Sequence, residues 1–164
     1  KPVSLDRRYD IIHLLTDILS GGGSSRLYQS LVKEKQLFSN IECHHFGSTD
    51  NGLVVVEGKL VKGVKMEEAE KAVELELDKM KNEMVSEQEL QKVKNKTESM
   101  LAFEDMSVMS RATSLAYYEI LGDAAWMNFE LEKYASVTTE DILQESRAIF
   151  RRENSSTLYY LSAN

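Results

Sequence analysis

The 164-residue sequence has one cysteine, one proline, one tryptophan and no long apolar run. The lone Cys43 excludes an internal disulfide and leaves the redox compartment open. Pro2 stands at the very start, so the helical patterns that follow carry no proline kink. No stretch is long and apolar enough to cross a bilayer, and no membrane span is expected. The opening KPVSLDRRYD has basic residues but no apolar segment behind them, unlike a signal peptide. A basic surface is also missing. Twenty Lys and Arg stand against 27 Asp and Glu, interleaved, for a net charge of −7. That excludes non-specific nucleic-acid binding as the main role. The length suffices for one domain with a sizeable core.

What is present is periodic. From Tyr9 to Leu19 the spacing of Ile12, Leu15 and Leu19, widened by Ile11, Leu14 and Ile18, predicts an amphipathic helix. Gly21, Gly22 and Gly23 end it, and Ser24 or Ser25 is expected to cap a second helix through Leu27 and Leu31. Two β-rich runs, Ser39 to Thr49 and Leu53 to Val61, flank the turn signal Asp50-Asn51-Gly52 and predict a hairpin. Helical spacing resumes from Met66 to Met84. Ser86 and Glu89 form a capping-box pattern ahead of a long helical stretch to Leu121, with a break expected between Glu104 and Ser107. A helix is expected over Ala124 to Ala135, another from Thr138 to Phe150, and a closing strand over Ser156 to Leu161. Helices and strands segregate rather than alternate. The fold class expected is therefore α+β, with helices packed on one face of a mostly antiparallel sheet. Sheets average more strands than these three, so one or two strands are expected ahead of Lys1 in a longer chain.

Three stretches could carry chemistry. ILSGGGSSRLYQSLVKEKQLF, Ile18 to Phe38, places glycines before a helix, as phosphate loops do. It lacks the Gly-Lys-Ser/Thr ending, and a helix rather than a strand precedes it. A helix-to-helix turn needs no ligand. Cys43, His44 and His45 are zinc-ligand types, but adjacent strand residues point to opposite faces, and His13 is distant in sequence. No Gly-x-Ser-x-Gly elbow occurs. The carboxylates of Glu67 to Glu89 read as a solvated helix face. Met106 and Met109 read as core fillers, and Tyr117, Tyr118 and Trp126 as packing residues. Composition and spacing alone thus give a globular α+β domain without a complete catalytic constellation.

LLTDILSGGGSSRLYQSLVKEKQL, Leu14 to Leu37, resembles a signature of the pitrilysin/insulinase family of zinc peptidases, in its mitochondrial-processing-peptidase-like branch. The likeness continues through the hairpin, VSEQELQKVKNKTESML and VTTEDILQESRAIF, so it covers nearly the whole chain. The resemblance implies an α+β half-domain that occurs in repeated copies. One copy holds zinc through H-x-x-E-H, whose glutamate activates the zinc-bound water. A later copy closes over the peptide. This sequence has no H-x-x-E-H and resembles the later, inactive copy. It implies a single domain over residues 1–164, part of a longer chain, with no catalytic residue and no metal ligand of its own.

Zinc is then expected in a separate zinc-bearing N-terminal copy, the expected partner alongside a peptide substrate. The family's later copy often lends the substrate an arginine and a tyrosine, in the form L-R-x-x-x-x-L-x-Y. The matching stretch, Leu31 to Ser39, has Val32 and Ser39 at those positions, so those roles do not carry over and no substrate-binding residue is assigned. Arg26 is expected to pack or pair locally. On this reading the glycines let two helices meet sharply, and the second delivers Val32 to Ser39 toward the cleft. The implied function is peptide enclosure in a zinc metallopeptidase, or scaffolding by a non-proteolytic relative.

Overall fold

The computed structural model describes residues 6–47 and 52–161. The order is α1 (Arg7–Ser20), a π-helix (Tyr28–Glu34), β1 (Phe38–Phe46), β2 (Leu53–Leu60), α2 (Met66–Asn82), α3 (Glu87–Asp105) and α4 (Val108–Leu121). A 3-10 helix (Ala124–Phe129), α5 (Glu130–Ala135), α6 (Thr139–Ile149) and a 3-10 turn (Arg152–Asn154) follow. β1 and β2 form an antiparallel pair with Cys43 opposite Val56 and Glu42 opposite Glu57. The expected Asp50-Asn51 turn lies outside the described residues. The fold class matches the α+β expectation, and helix breaks fall at Met106-Ser107 as the spacing indicated.

α1 is the axis of the core. Asp6 caps it by accepting the Arg8 N–H, and Leu14, Leu15, Ile18 and Leu19 are fully buried. They meet Leu27 and Leu31, the inner sheet residues Phe38, Ile41 and Cys43, and Met80, Leu90, Val93, Val137 and Ile142. Each such Leu or Ile contributes roughly 1.5–3 kcal/mol by leaving water. Ion pairs tie the layers. Arg8 reaches Glu145 and Arg7 reaches Asp141, joining α1 to α6. Arg26 grips Glu89 of α3 through two bonds of 2.8 and 2.7 Å, a bidentate pair joining segments 63 residues apart in sequence.

Several expectations are corrected. Ser25 stands at the start of the second helix, its carbonyl accepting the Gln29 N–H at 3.0 Å, but its buried hydroxyl has no hydrogen-bond partner, so the expected side-chain cap is not made. Ser86 accepts the Glu89 N–H, and the Glu89 carboxylate is held chiefly by Arg26, with only a minor pull from the Ser86 backbone N–H. Glu76 is not on a solvated face. It is buried, and burial raises its pKa, but bonds from Ser30 (2.6 Å) and Lys79 (2.9 Å) outweigh that and hold it below the usual carboxylate range. Residues 156–161 are not a strand. No strand among the described residues lies beside them, and an extended segment becomes a strand only by pairing. Glu70 instead receives the Thr157 hydroxyl at 2.9 Å and the Tyr159 phenol at 2.5 Å. Met106 and Met109 fill no core gap; both are about three-quarters exposed, at 79% and 76%.

Candidate functional site

The glycine run shapes one end of β1. A Cβ at Gly21 would sit 2.4 Å from the Asp17 carbonyl oxygen, and Gly22 has φ +126°, where other residues are strained. Those two positions turn the chain sharply and hold Ser20, the last residue of α1, against the strand. The Ser20 hydroxyl accepts the Cys43 N–H at 2.7 Å and donates to the Cys43 carbonyl at 2.7 Å. Both backbone groups of Cys43 therefore point away from β2. In an antiparallel pair the residues two positions away share that direction, so Ile41 and His45 also direct their backbone groups outward. β1 thus has an edge on which Ser20 occupies the middle position.

Beside this edge lies a depression of about 400 Å³, lined by Ser20, Gly22, Gly23, Tyr28 and residues 40–44. A Cβ at Gly23 would meet nothing within 4 Å, so the wall on that side is bare backbone. The depression offers backbone donors and acceptors, a phenol and the outward side chains of Glu42 and His44. It offers no activated nucleophile. The Ser20 hydroxyl is committed to the backbone, and burial pushes the Cys43 thiol up to about 12. This arrangement can hold an extended chain; it contains no acid–base pair to cut one.

The sequence-matched stretch stands next to it. Val32 is partly buried against the core. Ser39 is exposed and donates its hydroxyl to the Lys59 carbonyl at 3.0 Å. Neither presents a charge or a phenol.

Cys43, His44 and His45 are not brought together. Cys43 enters the core, His44 leans edge-on against Phe46 at 4.9 Å, and His45 lies on the inner face. There the fold supplies what the sequence concealed. His45 is 4.7 Å from the Tyr9 ring and 5.7 Å from His13, whose Nδ1 is 2.9 Å from the Tyr134 hydroxyl. His45 Nε2 is buried with no hydrogen-bond partner. Burial lowers the pKa of both histidines; His13 and His44 lower His45 further, whereas Asp17 partly offsets the shift of His13. Asp10, one helical position from Tyr9, is buried and pushed up to about 6, with Lys133 opposing. Burial also raises Glu130 and Tyr118. Among the described residues, no group of three or more His, Cys, Asp or Glu side chains is arranged to hold a metal ion. The histidine–tyrosine cluster was missed in sequence because its members come from α1, β1 and α5. Ser20 carried a weak signal as the last helical residue before the glycines.

The sequence model of the family described as "Peptidase M16 inactive domain" matches residues 1–97. Among solved structures, the chain is similar to a proposed zinc protease from Bordetella pertussis Tohama I, at 20% identity and TM-score 0.85, over 99% of this chain and 89% of that one. It is equally similar in fold to the inactive peptidase domain of a proposed zinc protease from Bordetella parapertussis, at 19% identity and TM-score 0.86, over 98% and 87%. A protease from Helicobacter pylori matches at 21% identity and TM-score 0.80, over 90% of this chain but 35% of that one. No curated protein matches.

Proposed function

The chain belongs to the family of M16 peptidase inactive domains, and on that premise we propose that it encloses an extended peptide against a separate, zinc-bearing copy of the fold. The zinc and the water it activates belong to that copy; this chain contributes surface. The observation that supports the reading most directly is the outward edge of β1 beside an open depression. Strand addition uses such an edge, here at Ile41 and His45 on either side of Ser20: backbone bonds give affinity and neighbouring pockets read side chains. The bare wall at Gly22 and Gly23 leaves room for the incoming backbone.

A second reading rests on Val32 and Ser39. With an aliphatic and a hydroxyl side chain where active relatives' later copies carry arginine and tyrosine, the same domain serves as a non-proteolytic scaffold. One experiment separates the two. The chain is mixed with its zinc-bearing copy, and zinc content and cleavage of an unstructured peptide are measured. Enclosure requires that cleavage appear only in the mixture. Gly23→Leu, which fills the depression without straining the backbone, then lowers cleavage at least tenfold, about 1.4 kcal/mol, with zinc content unchanged. A mixture that holds zinc and cuts nothing establishes the scaffold.

A further inference from the structure

The region after α3's buried half is built inside out. On α4 the inward line is Ser110, Ser114 and Tyr118, at helical spacing, and Tyr118 is the one buried residue of the helix. The outward line is Val108, Ala112, Ala116 and Ile120, all exposed. Met109 lies beside it, and Phe103 and Met106 precede it at the end of α3. A surface helix of a globular domain normally has the opposite arrangement, apolar side in and polar side out. Eight large apolar side chains among the described residues are more than seven-tenths exposed, and five of them fall between Phe103 and Ile120. Those five present roughly 500–700 Å² of apolar surface, at or beyond the upper end of the roughly 300–600 Å² usual for the largest patch of a monomer.

We propose that this face is a self-association surface, on which α4 of one copy of the chain packs antiparallel against α4 of a second copy. The pattern of the outward line is the reason for choosing a second copy. It reads large, small, small, large: Val108, Ala112, Ala116, Ile120. Reversed end to end about the middle of the helix, it meets itself with Val108 beside Ile120 and Ala112 beside Ala116, as a two-fold interface requires. The alanines let the helix axes approach closely, and the end residues close over them. Area agrees. With the partly exposed Met100 and Leu115 added, the patch nears the roughly 800 Å² per partner of a standard interface.

Sedimentation equilibrium of the chain tests this. The expected result is a mass that doubles with concentration and returns to the monomer value in Ala116→Arg, whose far-ultraviolet dichroism and dilute-solution melting temperature match the parent's because Ala116 is exposed. Orientation is read from two single substitutions, Ala112→Cys and Ala116→Cys, oxidised separately and together; the native Cys43 is buried and stays silent. Antiparallel packing gives mainly the mixed 112–116 disulfide, whereas homodisulfides from the separate samples would mean parallel packing and overturn the proposal. A chain that remains monomeric at about 1 mM, the range of the weakest specific contacts, overturns it too. So does a wild-type chain that stays monomeric but binds its zinc-bearing copy through a contact that Ala116→Arg abolishes, since the face would then belong to a different occupant.

Discussion

Residues 6–97 and residues 98–135 obey different rules. In the first region the central apolar side chains point inward and converge on α1: Leu14, Leu15, Ile18, Leu19, Leu27, Leu31, Met80 and Leu90 are sealed from water. In the second most of them point outward, Leu101 excepted, while the side turned to the rest of the molecule is largely polar or phenolic. Tyr118, Glu130, Lys133 and Tyr134 face Tyr9, Asp10 and His13 across that junction. The family match covers the first region and stops there. The lesson is that the first region is held by hydrophobic burial, whereas the second is attached largely through ionisable and hydroxyl groups. Its own apolar side chains add little to the stability of a single copy.

The largest expected effect tests the first half of that contrast. Leu14→Ala opens a cavity at the centre of the core and is expected to cost about 3 kcal/mol. In a chain of this size that lowers the melting temperature by roughly 10 °C, read by thermal denaturation followed by circular dichroism. A loss under 1 kcal/mol would erase the contrast.

The junction gives the next effect, and its sign depends on pH. Asp10 titrates near 6 in the folded chain against an ordinary 3.8, so the folded state holds its proton more tightly than the unfolded one. Its contribution is therefore most favourable at low pH, declines as pH rises from about 4 to 6, and is a full cost above that. Asp10→Asn removes the cost. It is expected to stabilise by about 2 kcal/mol at pH 8 and by almost nothing at pH 4. His13 and His45 titrate below their ordinary 6.5, so their effect runs the other way: stability is lost as pH falls below 6.5. Comparing melting temperatures of Asp10→Asn and the parent at each pH cancels the histidines. A gap independent of pH would mean that Asp10 is not held neutral by its surroundings.

Ser20→Ala is expected to cost about 1–2 kcal/mol, because the Cys43 N–H and carbonyl both lose their partner beside a partly open edge. Amide exchange at Cys43 should accelerate more than at its neighbours. The smallest effect is predicted where the exposed apolar surface is largest. Ile120→Ser, at 83% exposure, should leave the monomer's stability within about 0.5 kcal/mol of the parent when measured in dilute solution. A larger loss would mean that α4 is packed on its outward side even in one copy.

The first region was largely legible in sequence because its signals are local. Helical spacing located α1, α2 and α3, β-branched residues located the hairpin, and Leu14 to Leu37 pointed to the family. Thr138 and Asp141 cap α6 as their spacing indicated. Illegible were the features that depend on what a residue meets after folding. Glu89 answers Arg26 more strongly than its own helix end, because a guanidinium 63 residues away offers a two-pronged bond. Glu76 is drawn inside by Ser30 and two lysines. Met106 and Met109 have apolar side chains at helical spacing, and spacing cannot tell a face that meets the core from one that meets solvent. The candidate site was half legible: the glycines marked the turn, but nothing in the sequence tells Ser20 from any other serine that ends a helix.

The Ser20 hydroxyl also works as a ruler. Along the outward edge of β1 it fills the place that a neighbouring residue's backbone would take at Cys43. The open positions on either side, at Ile41 and His45, are four residues apart, roughly 13 Å along an extended chain. A chain laid against that edge finds its anchoring points at that interval, with the step between them already taken. A single hydroxyl at the end of a helix therefore splits the edge into two short anchoring points, and an added chain must bow away from β1 between them.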